Sequence, residues 1–302
     1  MRTRRARESA WTAAADRAAR PANPRRASGS ARAMKTLTVG LGFSRTLIIA
    51  AALTLCARVA LAESAVETWT VDGEKREAIV YTPKSSASAA SQLGRDKAPL
   101  IFSFHGHGDD MENFQYVGLQ NVWPDAIIVY FQGLPSRDGY RGWQVEPGEY
   151  GDRDLKMVDA VLAAMKKKYN VDDNRIYATG FSNGAHFTYL LWAARPNVFA
   201  AFAPVAGRIR PTAMPKEPRP ILIIGGARDA QVAFPDQRAA MGIAIRLNGV
   251  DGKTASCGDG CTLYGGDTPS PVMTWIHQGG HEYPRPTSAK IAEFFHQHPK
   301  GE

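Results

Sequence analysis

The sequence predicts a single α/β domain, a mainly parallel sheet with helices on both faces. Three observations predict it. Short apolar runs of the length of buried strands recur along the chain. Amphipathic helical patterns lie between several of them. A glycine-flanked turn, Gly180-Phe181-Ser182-Asn183-Gly184, falls at one junction of strand and helix. With 302 residues, 44% of them hydrophobic, the chain can bury one large core.

The first segment reads as an address. Residues 1–62 hold 12 of the 37 Lys and Arg but only 2 of the 29 Asp and Glu, which leaves 25 basic and 27 acidic groups in residues 63–302. The net charge of +8 is therefore a property of this segment, and the near-neutral remainder argues against nucleic acid as a partner. From Met34 a short basic start (Lys35, Arg45) precedes an apolar run, Leu47 to Ala57, and then Ala60-Leu61-Ala62, the pattern of a signal peptide cleaved after Ala62. Residues 1–33 read as a disordered extension, with translation starting at Met1 or Met34. The run is broken by Arg58 and falls short of the about 20 apolar residues a membrane span needs. No stable membrane insertion is expected after its removal. Bulky Leu55 before Cys56 argues against a lipid anchor there. The predicted location is secreted or periplasmic, with residues 63–302 forming the single catalytic domain.

In an oxidising compartment Cys257 and Cys261, separated by Gly258-Asp259-Gly260, are expected to close a small disulfide ring. An opening hairpin is expected from Glu67 to Val71 and Ala78 to Tyr81 around Asp72-Gly73. The Ser/Ala stretch Ser85 to Ser91 reads as a surface loop. Buried strands follow at Leu100 to Phe104, Ala126 to Phe131, Arg175 to Ala178, Phe199 to Val205, Ile221 to Ile224 and Val272 to Ile276. Leu155, Val158, Leu162 and Met165 repeat at helical spacing, with Asp152 and Asp154 before them and Lys166 to Lys168 after, as the helix dipole favours. Further helices are expected at Asn183 to Ala194 and Ser288 to His296. Only a short Pro-rich loop separates Val205 from Ile221, so no large lid is expected.

The pentapeptide at Ser182 is GxSxG in a strand-turn-helix context, the nucleophile elbow of the α/β-hydrolase fold. Small flanking residues let the backbone turn sharply and lift the hydroxyl above the sheet. A serine needs a base, and the base needs an orienting group. In this fold the order along the chain is Ser, then Asp or Glu, then His. Asp229 follows the Ile221 to Ile224 strand through Gly225-Gly226-Ala227-Arg228, at the edge where such sheets place their sites; Asp236 is the runner-up. His281 follows Gly279-Gly280 on a loop just past Ile276. Of the other downstream histidines, His277 lies within or next to the strand, and His296 and His298 belong to the terminal helix and tail. His105-Gly106-His107-Gly108 follows the Leu100 strand, so the backbone N–H groups of His107 and Asn183 are assigned to an oxyanion hole. The two histidines lack a nearby carboxylate cluster; neither a metal nor another cofactor is expected. Trp143 and Tyr140, with Tyr150, are candidates for lining the substrate cleft, although an aromatic in such a chain is more often core.

These residues resemble a secreted α/β-hydrolase esterase family that includes polyhydroxybutyrate depolymerase-like proteins, feruloyl esterases and acetylxylan esterases. The resemblance spans roughly residues 67–296. It rests on HGHG at His105, YFQG at Tyr130, NRIYATGFSNG ending at Gly184, FAAFAPVAG ending at Gly207, GARD ending at Asp229 and GGHEYP from Gly279. It implies a serine carboxylic ester hydrolase with Ser182, Asp229 and His281 as its functional positions, and a small or oligomeric ester as its partner. The chain departs from the family where Ala185 replaces a frequent glycine and Tyr283 a frequent tryptophan. A serine peptidase on the same fold and a non-catalytic binding protein are the rival readings.

Overall fold

The chain first reverses at Asp72-Gly73, where both residues have positive φ (51° and 83°), the turn that best matches the twist of a two-residue hairpin. It joins β1 (Glu63–Val71) to β2 (Glu74–Thr82) in an antiparallel pair with Val71 opposite Glu74. The computed structural model describes residues 63–83, 97–252 and 254–301. The expected leader and the Ser85 to Ser91 loop lie outside them.

Beyond the hairpin the elements are β3 (Ala98–Phe104), α1 (Met111–Phe114), α2 (Leu119–Val122), β4 (Ile127–Phe131), the two-residue strands β5 (Leu134–Pro135) and β6 (Arg141–Gly142), and α3 (Arg153–Lys168). They continue with β7 (Val171–Phe181), α4 (Asn183–Ala194), β8 (Ala201–Val205), β9 (Ile221–Gly226), α5 (Phe234–Leu247), β10 (Thr254–Ser256), β11 (Cys261–Tyr264), β12 (Val272–His277) and α6 (Thr287–Gln297). Ten strands form one sheet in the order β1-β2-β4-β3-β7-β8-β9-β12-β11-β10. The six from β4 to β12 run parallel, and an antiparallel pair closes each edge.

Strand periodicity divides the core. Leu100, Phe102 and Phe104 of β3 point to the face covered by α3, α4 and α5, where Val158, Phe187, Trp192 and Met241 meet them. Ile101 points to the opposite face with Tyr177, Leu222 and Ile224, under α6 (Ile291, Phe295) and the short helices that carry Met111 and Phe114. A strand buried on both faces has no polar alternation, hence the continuous apolar runs.

The Cys257–Cys261 disulfide is formed across the turn between β10 and β11. The connection from β8 to β9 contains only a 3-10 turn at Pro211–Ala213. No helix among the described residues is long and apolar enough to cross a membrane.

Candidate active site

The parallel strands aim their carboxyl ends at one edge, and the loops there carry the chemistry. At the end of β7 the chain turns at Ser182 with φ 55° and ψ −112° before α4 begins. That conformation is costly for a residue with a Cβ and persists only where surroundings impose it. The surroundings are explicit. A Cβ on Gly180 would collide with the Gly184 carbonyl, and one on Gly184 with the Phe104 carbonyl oxygen. Meanwhile the Ser182 amide donates to the Val205 carbonyl (2.9 Å), and its own carbonyl accepts from Ala185 and His186. Both glycines of the pentapeptide are thus demanded by close approach.

His281 Nε2 lies 2.8 Å from Ser182 Oγ, and His281 Nδ1 lies 2.7 Å from Asp229 Oδ2. The ring also packs against Phe181. Asp229 is 5% exposed, and its carboxylate is held from several sides. Oδ1 accepts from the amides of Gln231 (2.9 Å) and Val232 (3.0 Å), while Gln237 Nε2 donates to Oδ2 (2.8 Å). With the carboxylate so fixed, Nδ1–H of His281 points to Asp229 and Nε2 is free to accept the serine proton. Asp236 is elsewhere, paired with Arg208 (2.8 Å). His277 accepts from the Gly279 amide and props the His281 loop, His296 meets Trp123, and His298 bonds the Phe294 carbonyl.

Asn183, as the first residue of α4, carries an amide with no partner inside the helix. On the opposing loop, the amides of Gly108 and Asp109 are taken up by Arg141 and Gly106 carbonyls, whereas that of His107 has no acceptor among the described residues. The Gly106 backbone runs close to Ser182, since a Cβ there would lie 3.6 Å from the serine Cβ. The two amides expected to form an oxyanion hole therefore lie on segments next to Ser182, one on the loop that passes it and one on the residue that follows it. The histidine side chains are engaged separately. His105 Nδ1 bonds the Gly106 carbonyl and its Nε2 accepts from the Gly133 amide, while His107 Nε2 meets Asp138 (2.8 Å).

Trp143 corrects one expectation. It does not line the cleft: it is 2% exposed, stacked on Phe187 and set edge-on to Phe104. Its indole N–H donates to the His105 carbonyl (2.9 Å). Its backbone is gripped by the Asn183 side chain, which accepts from the Trp143 amide (2.7 Å) and donates to its carbonyl (3.2 Å). Trp143 thus ties the loop of residues 105–108 to the elbow from behind. Tyr140 stays at the rim, 64% exposed and beside the His107 ring. Tyr150 lies under the Arg153 guanidinium.

Tyr283 fills the space between Phe181 and Phe114 and bonds Ser288. Burial pushes its pKa up. Ala185 packs on Gly207, where any added side chain would clash. His186, one residue on, was not singled out in the sequence. Burial first, then Arg210, Arg208 and His281, pushes its pKa down to about 3.

The structure superposes on an acetyl xylan esterase from Aspergillus awamori with a TM-score of 0.58 and 16% identity, covering 77% of this chain and 99% of that one. The chain has the α/β-hydrolase fold. In sequence it is 30% identical over 161 residues to the bifunctional acetylxylan esterase/xylanase XynS20E of Neocallimastix patriciarum, covering 52% of this chain and 22% of the relative. It is 29% identical over 116 residues to the poly(3-hydroxyalkanoate) depolymerase C of Paucimonas lemoignei, covering 36% and 28%. The chain spans less than a third of the length of either relative. Residues 141–219, which include the elbow, match the prolyl oligopeptidase family.

Proposed function

We propose that this α/β-hydrolase is an exported serine carboxylic ester hydrolase acting on soluble or polymer-derived esters through an acyl-enzyme. The observation that carries the reading is the unbroken chain of hydrogen bonds from Ser182 through His281 to Asp229, at 2.8 and 2.7 Å. His281 takes the hydroxyl proton as Ser182 attacks the ester carbonyl. Asp229 holds the imidazole and balances the charge it gains. The His107 and Asn183 amides receive the oxygen as it becomes negative. His281 then protonates the departing alcohol, and afterwards activates the water that frees the acid.

Relatives named as acetylxylan esterase, feruloyl esterase and poly(3-hydroxyalkanoate) depolymerase support acetyl, feruloyl and hydroxyalkanoate esters as the classes to screen. Residues 63–302 form the catalytic domain in this reading. Residues 1–62 are the extension and removable signal, and the site of action is periplasmic or outside the cell. Ser182→Ala should lower turnover of 4-nitrophenyl acetate by on the order of 10⁴ or more with unchanged thermal unfolding. It should also abolish labelling by a fluorophosphonate probe. Retained turnover or labelling would sink the assignment.

A peptidase is the second reading, favoured by the family match over residues 141–219. Matched ester and anilide substrates separate the two. Faster anilide cleavage would transfer the assignment to peptides.

A further inference from the structure

Beside Ser182 the loop after β8 leaves a positive charge unanswered. Ala206, with φ 53°, bends this loop back over the first turn of α4, and Gly207 lies against Ala185. The loop thereby holds Arg208 and Arg210 within electrostatic reach of His186, which His281 also influences. Arg208 is neutralised by Asp236. Arg210 is different: its side chain has no ion-pair or hydrogen-bond partner among the described residues, and its Nε is enclosed without an acceptor. His186 repeats the pattern, with Nε2 enclosed and unpartnered. Burying a donor without an acceptor is costly, and buried polar groups in folded proteins are nearly always satisfied. Two such atoms within electrostatic reach of each other, one belonging to a cation, describe a place prepared for an anion.

We propose that Arg210, seconded by His186, forms an anion subsite next to the nucleophile, and that the preferred ester carries a negatively charged group on its acid or its alcohol. The proposal rests on the ester-hydrolase reading and narrows its substrate class. Arg is suited to the task because its planar fork grips a carboxylate at two points. The His186 ring stays neutral beside the two arginines, so it adds a hydrogen bond without competing for the anion.

Two substrate pairs distinguish the side on which the charge sits. Mono-4-nitrophenyl succinate against its methyl ester tests the acid side. Sodium 4-acetoxybenzoate against methyl 4-acetoxybenzoate tests the alcohol side. The quantity read is the ratio of kcat/KM, anionic over neutral, within each pair. We expect one ratio to exceed about ten, as a charge-assisted hydrogen bond allows. It should fall toward one in Arg210→Gln and be partly kept in Arg210→Lys. Because each ratio is internal to one preparation, loss of folded enzyme does not move it. Neutral esters that turn over with ratios near one in both pairs would overturn the subsite and leave the hydrolase reading standing, as would a ratio that survives Arg210→Gln. If neither member of either pair is hydrolysed, the hydrolase reading and the subsite fall together.

Discussion

In the proposed mechanism Asn183 offers its amide to the reacting oxygen, while its side chain grips Trp143, so the second contact would aim the first. Asn183→Ala keeps the amide but releases Trp143 and, through the indole, the His105 carbonyl. A small misplacement of catalytic groups can cost on the order of 10²-fold in rate, so we expect kcat for 4-nitrophenyl acetate to fall roughly 10- to 100-fold with KM nearly constant. Trp143→Phe, which removes only the indole N–H, should fall less. Equal kcat in all three proteins would show that the clamp is idle. His186 yields a pH prediction of defined sign. Its folded pKa is about 3, below the about 6.5 of an unfolded histidine. Between those values the unfolded chain binds a proton that the folded chain refuses, so stability falls as pH drops through that window. Thermal unfolding at pH 7 and pH 4.5 should show a smaller loss in His186→Gln than in the unsubstituted protein; an equal loss would refute the linkage. Ser182, Asp229 and His281 were legible because each follows an apolar run at a glycine-bearing turn. Trp143 was not, since sequence does not tell whether a loop indole faces inward. Arg210 and His186 were silent too: a missing counter-ion is a fact of three dimensions.

At the scale of elements, the elbow is a joint between β3, β7 and α4 whose clearances are set by backbone. Gly184 is the tightest point, because a methyl group there meets the Phe104 carbonyl, and backbone in the middle of a sheet cannot yield as a side chain would. Overpacking of this kind costs about 1–3 kcal/mol. We expect Gly184→Ala to lower the urea midpoint accordingly and to remove most turnover by displacing Ser182. Full turnover with an unchanged midpoint would mean that the joint is looser than its geometry. The parallel strands were readable to within a few residues because burial on both faces makes their sequences uniformly apolar, and α4 has the bounds the sequence predicts. Other elements left weaker marks. Helix α5 buries Gln237, Ala240, Met241 and Ala244, a face of small and polar residues with little apolar contrast. Strand β10 is exposed throughout, so it has no inward face for alternation to reveal.

For the whole molecule, the question is how the far edge of the sheet is coupled to the site. Arg76 of β2 and Asp154 of α3 form an ion pair at 2.7 Å, with side chains 1% and 0% exposed. The other Asp154 oxygen accepts from the Gln144 amide (2.8 Å), and Gln144 Oε1 in turn accepts from the amides of Asp154 and Leu155. Gln144 thereby caps a helix that has no side-chain cap of its own, and it is the neighbour of Trp143. Removing one partner of a buried pair costs up to about 3–5 kcal/mol, and here Arg153, 3.5 Å from Asp154, softens the loss. Arg76→Met should therefore lower stability by no more than that amount while Asp154 continues to hold Gln144, so kcat should change little. Asp154→Asn should also lower stability, but it loosens Gln144 and should reduce kcat as well. The double variant Arg76→Met/Asp154→Leu removes both charges yet orphans the Gln144 amide. It should regain part of the stability lost by Arg76→Met and none of the kcat lost by Asp154→Asn. Urea midpoints and kcat measured on the three proteins test the coupling. If stability and kcat fall in the same proportion in every variant, the pair acts only on folding and carries no positional information to the site.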